Sequence, residues 1–185
     1  MLQNDNNYQL FISLNNETVT GLSLLYTFRS LSIGLLDYMV VIPTHHRQGI
    51  GTQLFDFTLQ KLRSVVSNGI GLLMEIQREN FEDPRETIVR KNRIKFYTAL
   101  GAKILDGVEY LLPPLQSAVE PEKMYLMIRP LREMEHLSKQ SFVRYINAIY
   151  STIYHYHEHD LLDKISQKLP PRIMLHTMVT QIGTS

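Results

Sequence analysis

Two glycines, Gly49 and Gly51, stand between an apolar run and the start of a helical pattern, with Arg47 just before them. Glycine lets the backbone come close to a ligand and adopt positive φ. The amides of a first helical turn lack partners inside the helix and carry the positive end of its dipole. An anion, most often a phosphate, is the guest such a turn takes, and Arg47 adds a full charge. An ordinary strand-to-helix loop also uses glycine, so on the two glycines alone both readings stand equal. Two known phosphate loops fit badly. A P-loop ends in Gly-Lys-Ser/Thr, whereas Gly51-Thr52-Gln53 has no lysine. A dinucleotide fingerprint needs its first glycine at the strand end and a third further on, but Leu54 stands at the third place. Val41 also lies about eight residues before Gly49, too far for that tight turn.

Two carboxylates interrupt apolar runs. Asp37 does so within Ile33–Val41, and Glu75 within Ile70–Ile76. A buried carboxylate is costly unless paired, and burial raises its pKa toward that of a useful base. Asp37 at a solvated bulge is the equal alternative. For Glu75, pairing with a nearby arginine is slightly favoured over a role as base or as a site for a cationic substrate. His155, His157 and His159 alternate with Tyr156, Glu158 and Asp160. Histidine and carboxylate together can bind a divalent metal, but on a helix this spacing turns the side chains to different faces. No metal site is expected.

The elements that position these groups follow from periodicity. Tyr8–Ser13 and Glu17–Phe28 read as strands around an Asn15-Asn16 turn, with Gly21 marking a bulge. Ser30–Ser32 turns the chain, and Ile33–Val41 reads as a strand buried on both faces. From Gly51 to Val66 the apolar residues Leu54, Phe55, Leu59, Leu62 and Val65 follow helical spacing. Ile70–Ile76 is a strand and Arg78–Asp83 a polar loop. Pro84 opens a helix through Ile88, Ile94, Tyr97 and Leu100, stopped by Gly101. Ala102–Leu105 and Met124–Ile128 are two more strands, around a loop holding Pro113, Pro114 and Pro121. The order is three strands, helix, strand, helix, two strands, a mixed α/β architecture with a strand-helix-strand crossover. After Pro130, Leu137–Tyr156 carries Phe142, Tyr145, Ile146, Ile149 and Ile153 on one stripe, an amphipathic helix. Asp160–Lys168 is a short second helix ended by Pro170-Pro171.

The 185 residues contain no cysteine and carry a formal net charge of +1. That excludes disulfides, thiolate metal sites and a cysteine nucleophile. It also offers no field to draw the chain to nucleic acid or membrane. The polar start, Met1–Asn7, has no signal-peptide pattern, and no apolar run has the length of a membrane span. A soluble cytoplasmic protein is expected.

One family fits better than either phosphate loop. The stretch Val41-x-Pro43-x-x-x-Arg47-Gln48-Gly49-Ile50-Gly51-x-x-Leu54 closely resembles the acetyl-CoA motif of GNAT acetyltransferases, Gln/Arg-x-x-Gly-x-Gly/Ala. His46 stands where that family prefers Gln or Arg. Downstream, Phe96-Tyr97-Thr98-Ala99-Leu100-Gly101-Ala102 resembles the family's Phe-Tyr-x-x-x-Gly-Phe/Ala helix end; the asparagine that opens this motif aligns near Arg90. The resemblance covers roughly residues 8–130, with a C-terminal helical extension over 131–185.

The resemblance implies a GNAT-type mixed central sheet and acetyl-CoA as co-substrate. Its pyrophosphate would meet His46, Arg47, Gln48, Gly49, Ile50, Gly51 and Thr52. A backbone amide near Val40 or Val41 would serve the oxyanion, and Tyr97 would stand near the CoA sulfur, with a packed aromatic at the helix end as its alternative. An amine acceptor and a base, Asp37 or Glu75, would complete the reaction. The family's usual opening strand and two helices have no counterpart, since only about seven residues precede the first strand. A shortened N-terminus, a true start further upstream, or another chain that supplies the missing wall are the expectations, with the helix over Phe142–Ile153 as a candidate replacement. That stripe is also a candidate homodimer contact. The basic residues Arg90, Lys91, Arg93 and Lys95 read mostly as a solvated helix face. Two other functions compete: a non-catalytic acyl-CoA-binding module, and a nucleotide-binding α/β domain of another kind.

Overall fold

The computed structural model describes residues 7–66, 68–79, 83–114 and 120–178. The polar start up to residue 6 and parts of the two loops, 80–82 and 115–119, lie outside the described residues. The chain divides into two compact units, residues 1–74 and 75–185.

The first unit is a sheet with one helix on it. Strands β1 (Tyr8–Asn15), β2 (Thr18–Phe28) and β3 (Ile33–Val41) pair antiparallel in sequence order. Helix α1 (Ile50–Val65) follows, and the start of β4 (Gly71–Gln77) returns parallel to β3, pairing Ile33–Leu35 with Gly71–Leu73. This is the crossover expected from the periodicity. Helix α1 buries Leu54, Phe55, Leu59 and Leu62 at 5% exposure or less, each worth roughly 1.5–3 kcal/mol of transfer free energy. Its polar exception, Thr58, bonds to Ser23 of β2 at 2.8 Å and to the Leu54 carbonyl at 2.7 Å, so these two hydroxyls match each other in the core. Phe57 meets Phe11 of β1 edge-on, with centroids 5.2 Å apart. One face of the three-strand sheet is thereby assigned to α1.

The ladders carry two irregularities. Between β1 and β2 the register passes from Ser13↔Gly21 to Leu14↔Val19, so Thr20 is the extra residue rather than the expected Gly21. Gly21 is needed for another reason: a Cβ there would sit 2.8 Å from the Val40 carbonyl oxygen. Between β2 and β3 the register passes from Leu24↔Tyr38 to Leu25↔Leu36, which leaves Asp37 unopposed.

The second unit holds the end of β4, α2 (Pro84–Ala99), β5 (Lys103–Leu105), β6 (Tyr110–Leu112), β7 (Glu122–Pro130), β8 (His136–Ser138), α3 (Lys139–Ile153), α4 (Asp160–Gln167) and β9 (Arg172–His176). Strand β5 lies between β7 and β9, β6 pairs the other part of β7, and β8 pairs β9, all antiparallel. Asp83 caps α2 by accepting from the Arg85 amide at 2.8 Å, Pro84 follows, and Gly101 at φ +82° ends it. Ile88 does not face the core; it is an exposed residue of α2. The C-terminal region holds the two expected helices, but also β8 and β9. Leu137, expected in a helix, is in β8 opposite Ile173. Ser138 then caps α3, accepting from the Ser141 amide at 3.1 Å, which is why the helix begins at Lys139. Among the described residues no helix is long and apolar enough to cross a membrane.

Candidate functional site

The turn ahead of α1 is built from left-handed residues. Arg47 has φ +62° and Gly49 φ +80°. Gly49 is the N-cap, and a glycine offers no side-chain acceptor to the first turn. The first amide to bond into the helix is that of Gln53, to the Gly49 carbonyl at 3.0 Å. The amides of Ile50, Gly51 and Thr52 precede it. A Cβ at Gly49 would meet nothing within 4 Å. Backbone conformation demands this glycine, and the space beside it is open. A concavity of successive amides with a helix dipole behind it suits a phosphate.

The residues around the turn divide in role. The His46 ring donates through Nε2 to the Val41 carbonyl at 2.8 Å, and Gln48 Nε2 donates to the Thr44 carbonyl at 3.3 Å. Both tie the loop to itself and to the end of β3. Arg47 and Thr52 are exposed. Val40 is exposed and Val41 half-buried, on a stretch of β3 beyond its pairing with β4, which ends at Leu35 and Leu73. Alternate amides of an unpaired strand edge are available to a ligand.

Asp37 lies on that same stretch. As the extra residue of a bulge it is re-aimed relative to its neighbours. It is half-buried, and its Oδ2 accepts from the Tyr8 hydroxyl at 3.4 Å. Burial pushes the carboxyl above the usual aspartate range, and the Tyr8 bond partly opposes this. Asp37 is thus at a bulge, but half-buried rather than solvated.

The remaining predicted residues belong to the second unit. Tyr97 is buried at 5% exposure on α2, beside the Phe96 ring, with centroids 5.1 Å apart. Burial raises its phenol to about 12, against a lowering by Arg93. Glu75 is half-buried and accepts from two tyrosines, Tyr110 at Oε1 and Tyr154 at Oε2. Tyr110 is buried, and burial together with the Glu75 charge drives its pKa well up. Arg90 is not on a solvated face. It is buried and bonds Glu86 Oε1 at 3.1 Å and the Arg78 carbonyl at 3.2 Å. Lys91, Arg93 and Lys95 are exposed. Among the described residues no group of three His, Cys, Asp or Glu could hold a metal.

A model of the acetyltransferase (GNAT) family matches residues 1–101, more than half of the chain. The chain belongs to the GNAT acetyltransferase family. No curated protein sequence matches it. Solved structures of GNAT proteins share its fold. One is an acetyltransferase from the GNAT family of Bacteroides thetaiotaomicron, at 18% identity and TM-score 0.60, covering 82% of this chain and 75% of that one. Another is described as a streptothricin acetyltransferase from Bacillus anthracis, in complex with acetyl coenzyme A, at 20% identity and TM-score 0.50, covering 68% of this chain and 64% of that one. The GNAT match spans the turn at Gly49, the bulge at Asp37 and helix α2. Sequence reasoning missed Tyr8, Tyr110 and Tyr154. Tyr8 alone carried a signal, because a short Asn15-Asn16 turn sets the hairpin register that brings it beside Tyr26, edge-on with centroids 4.6 Å apart.

Proposed function

We propose that this chain is an N-acetyltransferase that uses acetyl-CoA and an amine acceptor. The observation that carries this reading is the pair of left-handed residues, Arg47 and Gly49, ahead of an uncapped α1 with open space beside Gly49. Arg47, Gly49, Ile50, Gly51 and Thr52 would hold the pyrophosphate, chiefly through backbone amides. His46 and Gln48 would fix the loop rather than touch the ligand. Acetyl-CoA, when bound, supplies a thioester whose acetyl group passes to the amine.

Asp37 is the better base of the two carboxylates. Burial raises its carboxyl above the ordinary aspartate range, which makes it a stronger base than a solvated carboxylate. Glu75 has both oxygens engaged by tyrosine hydroxyls, so its role is to hold the interior of its unit. Tyr97, with a phenol near 12, keeps its proton at neutral pH. It is a weaker acid than a thiol, near 8.5. It would donate a hydrogen bond at Oη and not release the proton outright. We assign acyl-CoA binding to residues 1–130 and regard 131–185 as an extension.

Thermal shift decides the cofactor first. Acetyl-CoA raises the melting temperature, and ATP and NAD do not. Thiol release with a panel of amines then decides the reaction. The chain has no cysteine, so every thiol detected comes from CoA. Stabilisation without thiol release for any amine would favour the non-catalytic acyl-CoA-binding module. No stabilisation by any CoA would overturn the reading.

A further inference from the structure

Among the described residues, the face of the β1–β2–β3 sheet opposite α1 is apolar and exposed. Register places its side chains in rows across the strands: Leu10–Leu24–Tyr38 and Ile12–Leu22–Val40. The opposite parity, Phe11, Ser23 and Gly21, faces α1 through Phe57, Thr58 and Leu54. Leu14 and Val19, paired at the hairpin end, extend the rows. The outer residues, Leu10, Ile12, Leu14, Val19, Tyr38 and Val40, are between 40% and 62% exposed. Solvated faces of antiparallel sheets normally alternate to polar residues; this one does not.

We propose that a second copy of this chain covers this face, sheet against sheet, across a two-fold axis. Three features favour a second copy over other occupants. First, the rows themselves carry no charged side chain, and the carboxylate beside them, Asp37, is half-buried and bonded to Tyr8, so little charge opposes self-association or invites a nucleic acid or a charged partner. Second, two copies present the same three-strand patch to each other, which is what a two-fold interface requires. Two such sheets pack about 10 Å apart with interdigitating side chains. Third, the area suffices. The six outer residues expose about 550 Å² per copy, hence about 1,100 Å² per pair, and the half-buried Leu22 and Leu24 bring the total to the stable class of about 1,200–2,000 Å². A patch of this size is at the upper end of what monomers leave bare. The stripe of α3 offers no comparable surface, because Phe142, Tyr145, Ile146 and Ile149 are buried and Ile153 is half-buried.

The proposal does not depend on the acetyltransferase reading, and its test uses no CoA. Sedimentation velocity of the full chain across the micromolar range is expected to show a dimer. Ile12→Glu places a charge on the exposed edge strand, and is expected to weaken the dimer roughly a hundredfold while the melting temperature of the monomer is kept. Ile88→Glu, equally exposed on α2, leaves the dimer intact. A wild type that stays monomeric overturns the proposal, as does a folded Ile12→Glu variant that stays dimeric. Should Ile12→Glu fail to fold, Leu22→Cys decides. In a chain without native cysteine, a short bis-maleimide should join two copies through the centre of the face, whereas Ile88→Cys gives no such product. Absence of the Leu22→Cys product overturns the proposal.

Discussion

The Tyr8 hydroxyl donates to Asp37 Oδ2 across 3.4 Å, linking the first strand to the bulged residue two strands away. The bond favours the ionised carboxylate, against the burial that disfavours it. Removing it by Tyr8→Phe should raise the Asp37 pKa further. The acid limb of the pH–rate profile then moves to higher pH, with a few-fold loss of rate on that limb and little change on the plateau. Steady-state kinetics across pH check this. An acid limb that stays in place would show that Tyr8 does not tune the reacting group.

Asp37→Asn should separate activity from stability. As the base, Asp37 is worth roughly 10²–10⁴ in rate, so thiol release should fall by that factor and the acid limb should vanish. Stability should move the other way. Folding favours the neutral form of Asp37, because its folded pKa lies above the ordinary 3.8. Its contribution is fully present below that value and lost as pH rises through the raised one. At neutral pH the D37N protein should therefore melt no lower than wild type. Toward pH 3 the wild type should gain relative to the variant. Melting curves at both pH values test the sign.

Much of this was readable from local pattern. The glycine turn was legible because only positive φ demands glycine there, and Gly49 has it. The β3–α1–β4 crossover was legible because Leu54, Phe55, Leu59 and Leu62 repeat at helical spacing. What escaped was set by distant partners. Asp37 is bulged because of how β2 and β3 fall into register at Leu24 and Leu25, and nothing within Ile33–Val41 records that. Leu137 fits the helical stripe, yet pairing with Ile173 draws it into a strand. Ser138, a good cap, marks the true start of α3. The two tyrosines that donate to Glu75 come from β6 and the end of α3, so no local rule could point to them.

Gly49→Ala isolates the phosphate turn. The added methyl meets nothing within 4 Å, so the cost is the left-handed backbone, about 1 kcal/mol. Gly107 is a matched control, with φ +69° and open space beside it. Gly107→Ala should lower the melting temperature by a similar amount and leave acetyl-CoA affinity unchanged. Gly49→Ala should weaken affinity by roughly tenfold or more, since a shift of the amides misdirects several bonds at once. Calorimetric titration of both variants provides the comparison. Equal affinities would remove the turn from the binding site.

Glu75→Gln probes the tyrosine pair. The carboxylate accepts from Tyr110 and Tyr154, one at each oxygen. A glutamine keeps one oxygen and replaces the other with a donor, which cannot accept from a phenol. Whichever tyrosine loses its acceptor must find another. For Tyr110, buried beside the Tyr150 ring, an unmatched hydroxyl costs about 1–3 kcal/mol. Glu75→Gln alone should therefore destabilise the protein by that amount in urea unfolding. The double change Glu75→Gln with Tyr110→Phe should recover part of the loss, because the orphaned hydroxyl is gone. Thiol release per folded molecule should stay within a few-fold of wild type. A large fall in turnover with unchanged unfolding would instead make Glu75 the base and Asp37 the structural carboxylate.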